Sequence, residues 1–67
     1  MSISSQDEKE FFELGKQAAA GGLSNEEARE ATRSTVQEKT DPVKDPKERK
    51  KQYVALWEQF WAGFNKR

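Results

Sequence analysis

The stretch YVALWEQFWAGF, residues 53–64, holds five of the chain's seven aromatic side chains, and their spacing constrains the fold more than any other feature. At the roughly 100° per residue of an α-helix, Tyr53, Leu56, Trp57, Phe60 and Phe64 fall within about a third of the circumference. Val54 and Trp61 widen one side of that stripe. Lys51, Ala55, Glu58, Gln59 and Ala62 take the opposite face. A buried ring removes ~150–250 Å² from water, so five of them amount to roughly 1,000 Å². A soluble monomer tolerates an exposed apolar patch of only ~300–600 Å². The stripe therefore needs a cover.

At 67 residues the chain is one domain, since a single core serves far longer chains. Domains of this size gain only ~3–5 kcal/mol from their core and commonly need a staple. No Cys is present to form a disulfide or a thiolate site, and no His to ligate a metal or act as the usual base near neutral pH. Oligomerisation or a bound partner remains. The first ten residues have neither a basic n-region nor an apolar h-region, and no apolar run approaches the ~20 residues of a membrane span. The expectation is a cytoplasmic protein with no membrane partner.

Local punctuation divides the chain into three helices, at about 5–20, 25–39 and 46–64, so the fold class is all-α: a small three-helix domain with a dominant aromatic C-terminal helix. Ser5 with Glu8 has the form of a capping box, followed by Asp7, Glu8 and Glu10 where the helix dipole favours acids. Phe11, Leu14, Gly15 and Ala18 then make one face, with Phe12 and Ala19 beside it. Gly21-Gly22 supplies the stop. Ser24 with Glu27 repeats the box, and Leu23 with Ala28 fits a hydrophobic staple. The second helix carries a stripe of Ala28, Ala31, Thr32, Thr35 and Val36, which buries little area and predicts the least stable element. Thr40-Asp41-Pro42 ends it. Asp45 caps the third helix, Pro46 stands at N1 and Glu48 closes the box.

The cover available within the chain is Ile3, Phe11, Phe12, Leu14, Leu23, Val36 and Val43. Phe11, Leu14, Gly15 and Ala18 are placed to receive the indoles of Trp57 and Trp61. This hides much of the stripe and leaves part of it, Trp61 first, for another protein or a second copy. The expected partner-binding residues are Tyr53, Trp57, Phe60, Trp61 and Phe64, since aromatic anchors are enriched at interface hot spots.

Charge is unevenly distributed along a chain of zero net charge. Residues 1–45 carry ten acids and six bases, residues 46–67 two acids and six bases. Lys47, Arg49, Lys50 and Lys51 stand at the start of the third helix, against its dipole, with Lys66 and Arg67 at the tail. Attraction to the first helix or to Glu26, Glu27 and Glu30, within the chain or across a dimer, would account for them. Contact with phosphate is the alternative, although a nucleic-acid domain is ordinarily far more basic than this one. A membrane-surface helix would carry bases along its whole polar face, where Glu58 and Gln59 stand instead.

No nucleophile with a base beside it and no phosphate-cradling loop is present. No enzyme, no cofactor, no metal and no small-molecule substrate are expected.

Gly15-Lys16-Gln17-Ala18-Ala19-Ala20-Gly21-Gly22 has the form G-x-x-A-x-x-x-G, and Phe60-Trp61-Ala62-Gly63-Phe64 ends in Gly-aromatic. Together they resemble the two signatures of the ribosome modulation factor family, short bacterial proteins that bind ribosomes during hibernation. The segment between the signatures is longer here and lacks the family's Cys-Pro-Tyr. The resemblance implies ribosome or RNA contact through Lys47, Arg49, Lys50 and Lys51. The residues themselves favour a small regulator that binds another protein or its own copy through an aromatic helix face.

Overall fold

The first helix begins at Ser5 as expected, but the residue that caps it is Ser4. In the structure, a computed structural model that describes residues 4–66, the Ser4 hydroxyl accepts a 3.1 Å hydrogen bond from the Asp7 amide. Three helices follow among the described residues: α1 (Ser5–Ala20), α2 (Asn25–Thr40) and α3 (Pro46–Asn65). Ile3, expected to help cover the stripe, and Arg67, expected in the basic tail, lie outside the described residues.

The cap moves because Ser4 is extended, with φ −77° and ψ 160°, and its carbonyl already takes the first helical bond from Glu8. Asp7, held by this cap, also reaches across to α2, where Lys39 Nζ lies 3.2 Å from its carboxylate. Partial burial pushes the Asp7 carboxyl up, but the hydrogen bond and charge of Lys39, joined by Ser4, outweigh it and hold the group below its ordinary value. The Lys39 ammonium is raised in turn, by its hydrogen bond to Asp7 and the charges of Asp7 and Glu10.

The Gly21-Gly22 stop is a Schellman motif. Gly22 takes φ 77°, its amide donates to Ala19, and the Leu23 amide donates to Ala18. Ser24 and Glu27 then form the expected reciprocal box, at 3.2 and 3.0 Å. These bonds to Ser24, backbone first, hold the Glu27 carboxyl low. Asp45 caps α3 through the Lys47 amide at 3.0 Å, with Pro46 in the first turn.

The core is Phe11 of α1, Ala28 and Val36 of α2, and Leu56, Phe60 and Phe64 of α3, with Leu14, Ala18, Ala19, Leu23, Trp57 and Trp61 packed around it. α1 packs mainly on α3, and α2 lies against that pair with fewer contacts. The buried line of α2 is Ala28, Thr32, Val36 and Thr40, which corrects the expected stripe. Ala31 is exposed and Thr35 half-buried. Thr40, read as part of the stop, is instead interior, and its hydroxyl donates to the Val36 carbonyl at 3.0 Å. That bond removes the cost of burying a hydroxyl.

α1 and α3 approach backbone to backbone. Gly15 faces the Phe60 carbonyl and the Phe64 amide, while Gly63 faces the Phe12 carbonyl and the Lys16 amide. Gly15 was expected to receive indoles. It receives main chain instead, because two opposed glycines let the axes close where any side chain would hold them apart.

Candidate functional site

That close approach decides which side of α3 is left over. It draws the buried arc toward Gly63, so that Leu56, Phe60, Gly63 and Phe64 face inward and the other edge of the aromatic stripe turns out. Of the five residues expected to meet a partner, Phe60 and Phe64 are core, at 0% and 2% exposure. They are corrected from surface anchors to interior packing, since α1 has already taken their face. Trp57 and Trp61 are half-buried. Tyr53 at 41% and Val54 at 44% stand exposed. The uncovered margin is thus centred nearer Val54 than Trp61.

The rings form a supported ladder. Tyr53 meets Trp57 edge-on at 6.3 Å, and the indoles of Trp57 and Trp61 stack at 5.9 Å with their planes 20° apart. From behind, Phe60 touches both indoles edge-on at 5.4 and 5.0 Å, and Phe64 meets Trp61 at 5.3 Å. Offset and edge-on pairs add ~0.5–1.5 kcal/mol each beyond area burial. The outer rings are therefore held in place by core side chains.

Cations border the ladder on both sides. Lys47, Lys50 and Lys51 line a shallow groove on the outer face of α3 whose floor is Val54 and Ala55 and whose far end is Glu58. On the other side α2 brings Arg29, Glu30 and Arg33 beside Tyr53 and Trp57. Arg49 behaves differently from its neighbours, donating from Nε to the Val43 carbonyl at 2.9 Å. It fastens the connection between α2 and α3 onto the start of α3.

The attraction expected between the lysine cluster and the chain's own acids is not found among the described residues. Lys47, Lys50 and Lys51 form no ion pair there, and the acids that are engaged meet other partners. Glu13 pairs with Lys16 at 3.7 Å, Glu30 with Arg33 at 3.8 Å and Asp7 with Lys39 at 3.2 Å, while Glu27 serves its own cap.

Periodicity within α3 carried the ladder and the lysine groove. The placement of Arg29 and Arg33 beside Tyr53 brings two helices together, and no local signal announces it. Chemically the face offers ring surface, two aliphatic side chains and ammonium donors, which suit recognition. Among the described residues no cluster of His, Cys, Asp and Glu could hold a metal ion, and no helix is long and apolar enough to cross a membrane. Set against protein-family models, curated proteins and solved structures, the chain matches none of them.

Proposed function

We propose that the chain is a non-enzymatic binding module that takes a protein partner on the outer face of α3, through Tyr53, Val54, Trp57 and Trp61. The observation that carries this reading is the exposed Tyr53–Val54 edge at 41% and 44%. It lies on a rigid indole ladder, beside lysines with no ion pair among the described residues. Rigid rings ringed by charge are the makings of an interface hot spot, where a few anchors supply most of the affinity. Phe60 and Phe64 support those anchors from behind and do not touch the partner.

Photo-cross-linking in the native host tests this. A cross-linking side chain placed at Val54 gives discrete protein adducts, and one placed at Ala31, exposed on α2, gives none. Equal labelling at both positions, or none at Val54, ends the proposal.

A second reading has its own observation. Arg29 and Arg33 come to Tyr53 and Trp57 from α2, extending the Lys47, Lys50 and Lys51 cluster around exposed rings, as single-stranded nucleic-acid platforms combine stacking with cations. This is the form the resemblance to ribosome modulation factors takes, with Arg49 engaged at Val43. It predicts RNA or ribosome binding that falls steeply with salt and weakens in Lys50→Ala and Lys51→Ala. Absence of binding at low salt disposes of it.

A further inference from the structure

We propose that the partner on this face is a second copy of the chain, docked with its α3 antiparallel to the first about a two-fold axis through Val54. This deepens the binding-module reading and rests on it.

Lys47, Val54 and Trp61 are spaced by two helical turns, so they line up along α3 with Val54 midway, ~10 Å from either end. The two halves of that line differ in kind. Toward the start of the helix stand Lys47, Lys50 and Lys51, and toward its end Glu58 with the rings of Trp57 and Trp61. Reversing one copy on the other brings Val54 against Val54. It also sets Lys47 over Trp61, Lys50 on Glu58 and Lys51 over Trp57 of the second copy, and each contact occurs twice, as a two-fold interface requires.

An ammonium over an indole face is favourable, and the chain already holds Lys16 and Lys66 at 5.9 and 5.8 Å from the Phe12 ring centre. A parallel pair would lay lysine on lysine, a like-charge mismatch that disfavours it.

Glu58 discriminates between occupants. An acidic peptide or a phosphate chain would satisfy the three lysines but meet a carboxylate on the same face. The second copy makes that carboxylate a ligand for Lys50. One helix face is smaller than the ~800 Å² per partner of a stable complex, so the dimer is weak and its population rises with concentration.

Sedimentation equilibrium of the full chain over a range of concentrations reads this directly. The native chain gives a reversible monomer–dimer equilibrium that salt weakens. Val54→Glu gives monomers with unchanged helical circular dichroism, because the site is exposed and outside the core. Lys50→Glu and Glu58→Lys each weaken dimerisation about tenfold or more, and an equimolar mixture of the two recovers it to within about threefold. Recovery is specific to the antiparallel arrangement, since only there does each altered position face the other. A native chain that stays monomeric, a mixture that stays monomeric, dimers untouched by Val54→Glu, or assemblies larger than two each overturn the proposal. So does a monomer that co-sediments with homopolymeric RNA at low salt. Self-docking fails alone if the native chain is monomeric while the Val54 cross-linker still captures a different protein. If that adduct is missing too, the binding-module reading fails with it.

Discussion

Gly15 and Gly63 occupy reciprocal places across the α1–α3 seam, each presenting a bare Cα to the main chain of the other helix. A Cβ on Gly15 would sit 2.7 Å from the Phe64 amide nitrogen, and one on Gly63 would sit 2.8 Å from the Phe12 carbonyl carbon, with the carbonyl oxygens closer still. Because the obstruction is backbone, no rotamer change relieves it. The helices must part.

Gly15→Ala and Gly63→Ala therefore each destabilise the protein by ~1–3 kcal/mol or more, although alanine is the better helix former by ~1 kcal/mol. Gly21→Ala, where the nearest atom is 3.4 Å away, serves as the control and is close to neutral. Urea denaturation followed by circular dichroism measures all three. A neutral result at both seam positions would show that the helices do not meet at their backbones.

Core and margin separate cleanly in their response to truncation. Phe60→Ala removes a fully buried ring and costs ~3–5 kcal/mol, comparable to the whole stability of such a domain, so the variant is largely unfolded. Tyr53→Ala, at an exposed site whose ring meets Trp57 edge-on, costs about 0.5–1.5 kcal/mol while abolishing the cross-links expected at the outer face. Thermal melts check the first contrast, and cross-linking from Val54 the second.

The cap assignment is testable with three serines. Ser4→Ala and Ser24→Ala each lose a side-chain acceptor and cost ~1 kcal/mol. Ser5→Ala, already inside α1, is neutral or slightly stabilising. The reverse order for Ser4 and Ser5 in chemical denaturation would restore the cap to Ser5.

Stability is highest over a broad neutral range and falls at both extremes of pH. Asp7 and Glu27 titrate below their ordinary values in the folded state. Their contribution is complete above the unfolded carboxylate range, ~4, and is lost as pH falls through the lower folded values. Lys39 is raised, so its contribution is complete below ~10.4 and lost as pH rises through its higher folded value. Asp7→Asn shallows both limbs and costs ~0.2–1 kcal/mol at neutral pH, as exposed pairs do. Urea midpoints measured across pH reveal the change in slope.

The three helices and nearly all their ends were legible in the sequence because caps, the glycine stop and proline act within a few residues. The exception, Ser4 for Ser5, arose because both serines have an acid three places on, and Asp7 is engaged with Lys39 as well as with its cap. The aromatic stripe was legible up to a rotation about the helix axis. That rotation depends on Gly63, which reads locally as a flaw near the end of a helix and acts as its point of closest contact. Phe60 and Phe64 were assigned outward for the same reason. Arg29, Arg33 and Arg49 find their roles only when separate segments meet, so neither spacing nor composition marks them.

The main pairing joins α1 to α3, with α2 between them in the chain and lesser in contact. The decisive encounter, Phe11 and Gly15 with Phe60 and Gly63, is between segments far apart in the sequence. Closing so long a loop precedes most of the reward. The protein is consequently a slower folder than its length and helix content suggest, and its speed is governed by how quickly those two distant segments find each other.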